Sequence, residues 1–272
     1  MQTFKQFFMS NADELWSGRH RDQTVNKLMM FSNYKHYGSK PLDGFTAMEI
    51  SDFLSFIKLN RRLSETTINR YKAAIKAVFS YAIDLELIAA APKIKMKAEN
   101  NGRPRSFTPD ELVKIKSFFS NSKEPRIQHL VTLSEQTGMR LGELQEIGTT
   151  AFVSADEQWL KLVDTKNGDD REVPLTSTTL DCIKKVGVVK DWFSHRTFYD
   201  LWDECRFRIA PRDKNFVFHV LRHTCASKLA NDFQVNTLVI ADMLGHRSIK
   251  TTQKYVHVNQ NTKQSVAQLL AQ

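Results

Sequence analysis

Residues 92–107, PKIKMKAENNGRPRSF, break this chain in two. The stretch is rich in Pro, Lys, Asn and Gly and has no apolar periodicity. It therefore offers no face to bury and reads as an exposed, basic linker. Helical structure restarts immediately after it. Thr108-Pro109-Asp110-Glu111 places a proline at the first helical position inside a capping box. The chain is thus expected to fold as two bodies, a helical domain over 1–98 and a second domain over 108–272, joined by a basic linker over 99–107.

Charge follows the same division. Residues 1–105 hold 17 Lys+Arg and 10 Asp+Glu, a net of +7; residues 106–272 hold 22 and 20, a net of +2. The overall net charge of +9 favours an anionic partner, and a basic module before a nearly neutral one suits a DNA clamp joined to a catalytic module. Cys182, Cys205 and Cys225 show no C-x-x-C spacing, which argues against a disulfide framework or zinc site and fits a reducing cytoplasm. The N-terminal MQTFKQFFMSNADELW is too polar for a signal peptide, and no apolar run reaches membrane-spanning length.

The first hundred residues read as helices. Val25, Leu28, Met29 and Phe31 sit at helical spacing within Thr24–Tyr37. A capping box at Thr46-Ala47-Met48-Glu49 opens a helix through Ile50, Phe53, Leu54 and Ile57. Ser64 caps a longer helix through Ile68, Tyr71, Ile75, Val78, Phe79 and Ala82, whose other face carries Arg70, Lys72 and Lys76. Thr67, Asn69, Arg70 and Lys76 are the candidates for DNA contact.

In the second domain, helices are expected near 109–121, 125–137, 141–147, 176–186, 195–208, 219–231 and 235–244. Trp159–Val163 and Arg171–Leu175 read as two strands, with Asn167-Gly168 and the adjacent aspartates as turn residues. Residues 261–271 carry a short apolar stripe, Val266, Leu269 and Leu270, too short for an isolated helix.

Five short segments hold the chemistry: TGMRLGEL, TKNGDD, HVLRHT, LGH and TTQKY. They supply Arg140, Lys166, His219, Arg222, His246 and Tyr255. These types match attack of a tyrosine hydroxyl on a phosphodiester. Guanidinium stays charged and grips phosphate oxygens with a bidentate fork. Phosphoryl transfer is catalysed chiefly by positioning and charge stabilisation. His219 and Arg222, three residues apart, share a helix face, so one helix can present both groups to one phosphate. His219 can accept the tyrosine proton or hydrogen-bond the phosphate, and His246, after Gly245, can donate to the phosphate. His195, His223 and His257 gain no role from this pattern, although His257 lies close enough to Tyr255 to help seat it. A phosphotyrosine link retains the energy of the broken bond, so no cofactor, metal or ATP is needed.

These segments closely resemble those of the tyrosine recombinase (phage integrase) family, including its lambda integrase-like and Xer-like members. Thr137–Leu144 is similar to the family's first arginine box, His219–Thr224 to its H-x-L-R-H-T box, and Leu244-Gly245-His246 with Tyr255 nine residues on to its histidine-to-nucleophile spacing. The match covers roughly 106–260; the N-terminal third fits by helical pattern and position. The resemblance implies a mainly α fold in two domains forming a C-shaped clamp. An N-terminal helical, SAM-like core-binding domain would precede a mostly helical catalytic domain with a small antiparallel β-sheet, the DNA breaking-rejoining enzyme fold. It implies that Lys166, on the hairpin, protonates the leaving oxygen, and that Glu143 braces a catalytic side chain. It further implies a 3′-phosphotyrosyl intermediate, double-stranded DNA with specific recombination sites as substrate, and a homotetramer on that DNA. The tail after Tyr255 would pack on a neighbouring subunit. DNA-bending or directionality proteins would be possible accessories, with the cytoplasm of a bacterial host as location. Integration or excision of phage or mobile-element DNA is the expected role. Xer-like chromosome resolution, type IB topoisomerase-like relaxation and a catalytically inactive DNA-binding regulator are the alternatives.

Overall fold

The structure is a computed structural model that describes residues 2–98, 105–163, 170–246 and 248–255. Its contacts divide the chain into two compact units, 1–100 and 101–272. Among the described residues no helix is long and apolar enough to cross a membrane.

The first unit is helical: α1 (Phe4–Ser10), α2 (Ala12–Leu15), α3 (Gly18–Asn33), α4 (Ala47–Arg61) and α5 (Glu65–Asp84). Helix α1 is absent from the sequence reading. Thr3 and Gln6 form a capping box, and Phe4, Phe7 and Phe8 then fall on one face and are fully buried. The ring of Phe4 lies between 5.0 and 5.6 Å from those of Phe8, Phe31, Phe45 and Phe79. This aromatic cluster is the centre of the unit. The helix read over 24–37 instead spans Gly18–Asn33. Lys35 and His36 take positive φ angles, which turns the chain and lets Tyr34 and Tyr37 pack on Phe53 and Phe31. Thr46 with Glu49 and Ser64 with Thr67 cap α4 and α5 as their sequences imply.

The second unit holds α6 (Pro109–Ser120), α7 (Ile127–Thr137), α8 (Leu141–Gln145), α9 (Ser177–Val186), α10 (His195–Ile209), α11 (Val220–Ser227), α12 (Thr237–Leu244) and α13 (Ile249–Gln253). Its core is built on Phe119, Phe198, Trp202, Phe216 and Phe218. The indole of Trp202 stacks on Phe119 and donates to the Phe216 carbonyl at 3.0 Å. Three strands, β1 (Ala151–Val153), β2 (Trp159–Leu162) and β3 (Arg171–Pro174), form an antiparallel sheet in the order β1-β2-β3. Leu160 pairs with Val173, and both face the core. Strand β1 is too short to show alternation, which is why two strands rather than three are readable. The expected helix over 219–231 is α11 followed by one π turn, Lys228–Asp232, which carries an extra residue.

Phe4→Ala should empty the middle of the first unit's aromatic cluster and destabilise the protein by about 3–5 kcal/mol. A urea melt followed by circular dichroism would read this as a lower midpoint for that unit.

Candidate active site

The site begins with a glycine. Gly138 ends α7 with a φ of 67°, and a Cβ there would lie 2.2 Å from Leu244 Cδ2. This close approach brings the end of α12 onto the end of α7. Arg222, on α11, ties both together: Nη1 donates to the Gly138 carbonyl at 2.8 Å and Nη2 to the Leu244 carbonyl at 2.5 Å. Its side chain is 2% exposed. Burial, then the nearby Arg140, pushes its pKa below the ordinary guanidinium value. It remains protonated at neutral pH.

Arg140 stands at the N-cap of α8. Glu143, one turn on, accepts from its backbone N–H at 2.7 Å and from its Nη1 at 2.7 Å. Arg140 Nη2 also donates to the Gly245 carbonyl at 3.3 Å. Oε2 of Glu143, which takes the Arg140 backbone N–H, also accepts from Arg171 Nη2 at 2.7 Å. Arg171 sits at the start of β3, its side chain 9% exposed, and also donates to the Met243 carbonyl. It packs so tightly against Gly245 that a Cβ there would lie 3.0 Å from its Cδ. Burial alone would raise the Glu143 carboxyl; Arg171, Arg140 and Arg222 outweigh it, so its pKa lies below the usual carboxylate value. One carboxylate thus joins α8, β3 and, through the two arginines, the end of α12.

His246 leaves α12 just past Gly245, whose φ of 63° ends the helix. Its Nδ1 is 2.7 Å from the hydroxyl of fully buried Thr252 on α13. Burial, then Arg222, Arg140, Arg171 and His219, pushes its pKa down to about 4. His219 is the N-cap of α11 and stays exposed. Partial desolvation, then Arg222 and Arg140, lowers its pKa.

Tyr255 is 5% exposed and packs on Ala226, Ile240 and Leu244. Asn231, on the π turn, donates to its carbonyl at 3.0 Å. Its hydroxyl is hydrogen-bonded to Nδ1 of His223. Burial raises the phenol pKa, with Arg222 and Arg140 pulling the other way. His223 itself is pushed down to about 4 by burial, then by His219, Arg222 and Lys254.

Arg140, His219, Arg222, His246 and Tyr255 therefore come together: Arg222 and Arg140 bond the Leu244 and Gly245 carbonyls just before His246, and the His219 ring packs on His223, which holds the Tyr255 hydroxyl. Lys166 lies outside the described residues, as do His257 and the stripe at Val266, Leu269 and Leu270. Sequence reasoning missed Arg171, Thr252 and His223, whose partners are set by packing. Only His223 carried a signal, standing four residues after His219 and next to Arg222.

The DNA-contact candidates belong to α5 in the first unit. Arg70 and Lys76 are exposed, and the Thr67 hydroxyl is 3.0 Å from that of Ser64. Asn69 requires correction: it is 3% exposed, and its amide bonds both the carbonyl and the N–H of Lys97. Lys72 is also buried, donating to the Lys95 carbonyl at 2.8 Å. The chain entering the linker covers this part of the helix.

Two family models match the chain: the phage integrase SAM-like domain over residues 3–96 and the phage integrase family over residues 105–262. The chain belongs to the phage integrase family, the tyrosine recombinases. It is 26% identical over 263 residues to a tyrosine recombinase of Thermosipho africanus, covering 90% of this chain and 92% of that protein. It is 26% identical over 238 residues to tyrosine recombinase XerA of Pyrococcus horikoshii, covering 83% and 81%. In fold it matches the Tn1549 transposon integrase in complex with a circular intermediate DNA, with a TM-score of 0.77, 17% identity and coverage of 98% and 99%.

Glu143→Gln should cost about 3 kcal/mol, because it leaves Arg171 buried without its counter-charge; a lower thermal midpoint would read this. The two depressed histidines give stability a pH dependence. His223 and His246 take up protons on unfolding between about 6.5 and about 4. Their contribution is therefore intact above that window and lost as pH falls through it. Thermal midpoints measured from pH 7 to 4 should decline, and replacing both residues with Gln should flatten the decline.

Proposed function

We propose that this chain is a site-specific recombinase that cuts and rejoins double-stranded DNA through Tyr255, without metal or ATP. The observation that carries this reading is the convergence of Tyr255 with two guanidinium groups and two imidazoles. The Tyr255 oxygen attacks a backbone phosphorus. Arg140 and Arg222 stabilise the non-bridging oxygens, where charge builds in the transition state. His219 and His246 hydrogen-bond the same group. Lys166 gives a proton to the departing 5′-oxygen, leaving a 3′-phosphotyrosyl bond and a free 5′-hydroxyl. A hydroxyl from another strand reverses the step. Arg222 is nearly fully buried, so entry of a phosphate requires the contacts that cover its guanidinium to open. The first domain holds the other face of the duplex, with Arg70 and Lys76 as phosphate contacts and Thr67 beside them.

Two exchanges within a homotetramer on paired sites complete recombination, with the tail after Tyr255 linking subunits. DNA-bending or directionality proteins act as accessories in the bacterial cytoplasm. Phage or mobile-element integration and excision is the role we favour, in keeping with the family match. Xer-like resolution is the second reading, favoured by the XerA relative.

The test uses a duplex selected from a randomised library by binding to the Tyr255→Phe chain, then nicked beside the cut so that rejoining fails. The wild-type chain should form a covalent protein–DNA adduct, and Tyr255→Phe should form none. An adduct that persists in Tyr255→Phe removes the nucleophile assignment. Paired sites on one circle and on two then separate resolution from integration.

A further inference from the structure

We propose that His223 is the general base that takes the phenolic proton from Tyr255 as it attacks the DNA phosphate. This rests on the strand-transfer reading above and assigns the one proton that the residue series leaves without a fixed acceptor. Among the described residues, Nδ1 of His223 is the atom hydrogen-bonded to the Tyr255 hydroxyl. The ring of His219, the acceptor suggested by sequence, instead packs edge-on against His223 with centroids 4.6 Å apart.

Three further observations support the assignment. First, Tyr255 needs an acceptor: its burial raises the phenol pKa, so the free chain holds it protonated. Second, His223 is placed by the helix that carries Arg222. The bonds from Arg222 to the Gly138 and Leu244 carbonyls fix α11, and with it the imidazole beside it. The group that grips phosphate and the group that takes the proton are thus set by one rigid element. Third, the surroundings hold His223 unprotonated. Burial first, then His219 at the start of α11, Arg222 on it, and Lys254 next to the nucleophile, disfavour an imidazolium. A neutral ring accepts at Nδ1 with its proton on Nε2.

The same cations make His223 a weak base until DNA arrives. A bound phosphate brings negative charge among these groups, and more accumulates as the phosphorane forms. Imidazolium is then favoured at the stage of reaction that requires it. In this step the Tyr255 Oη–P bond forms and the P–O5′ bond breaks. The phenolic proton moves to His223 Nδ1, and the 5′-oxygen is protonated by Lys166. In rejoining, the imidazolium returns its proton to the departing phenolate.

The test is single-turnover adduct formation on the library-selected nicked duplex by wild type, His223→Asn and His223→Ala. DNA affinity is measured in parallel to establish that each variant is folded. Asn keeps a polar group near the Nδ1 position but cannot carry the proton. Both variants should slow cleavage by about a hundredfold or more with DNA binding retained. The defect should persist on a duplex with a 5′-bridging sulfur, whose thiolate leaves without a proton. Wild-type rates in either variant, or rescue by the sulfur substrate, would overturn the proposal. If a variant fails to bind, His223→Gln is read in its place, and a wild-type cleavage rate in that variant overturns the proposal. Failure of the wild-type chain to form any adduct would instead remove the strand-transfer reading itself.

Discussion

One buried carboxylate holds the site in register. Glu143 lies between Arg140 and Arg171 and caps the N-terminus of α8. It stands among like charges that would otherwise repel one another: Arg140, Arg171 and Arg222 all act on it. Its two oxygens are divided between an arginine proposed to face substrate and one nearly sealed from solvent. Arg171 carries the link onward to the backbone of Met243 and the tight contact with Gly245, just before His246. A change in the strand after the hairpin therefore reaches the histidine turn through two charged side chains.

The remaining geometry rests on close backbone approach. Gly138 lets Leu244 reach α7, and the two carbonyls so gathered receive Arg222. The π turn after α11 then brings Asn231 to the Tyr255 carbonyl. Two of the imidazoles have a hydroxyl partner, Thr252 for His246 and Tyr255 for His223. The site gathers an excess of positive charge around a phenol, and a backbone phosphate is the anion proposed to meet it.

Much of this was readable from sequence because the signals are local. The capping boxes at Thr46 and Thr108 mark their helix starts, and the boxes around Arg140, Arg222 and Tyr255 supply residues that the fold brings together. What escaped depends on partners distant in the chain. Arg171 meets Glu143 28 residues away, and His223 meets Tyr255 32 residues away. Neither distance leaves a periodic mark. Asn69 looked like part of a solvent face because helical spacing cannot show that the chain near Lys97 folds back over α5. Helix α1 escaped because one turn of phenylalanines has meaning only once the aromatic cluster around Phe4 exists.

On the proposed function, this assembly of guanidinium groups receives a DNA phosphate beside Tyr255. The most direct measurement is a crystal structure of the Tyr255→Phe chain on an intact duplex carrying its site. The scissile phosphate should lie within hydrogen-bond distance of both Arg140 and Arg222, with Glu143 still bonded to Arg171 and the substituted phenyl ring facing the phosphorus. A phosphate bound elsewhere, with Arg222 still committed to the Gly138 and Leu244 carbonyls and closed to DNA, would contradict it.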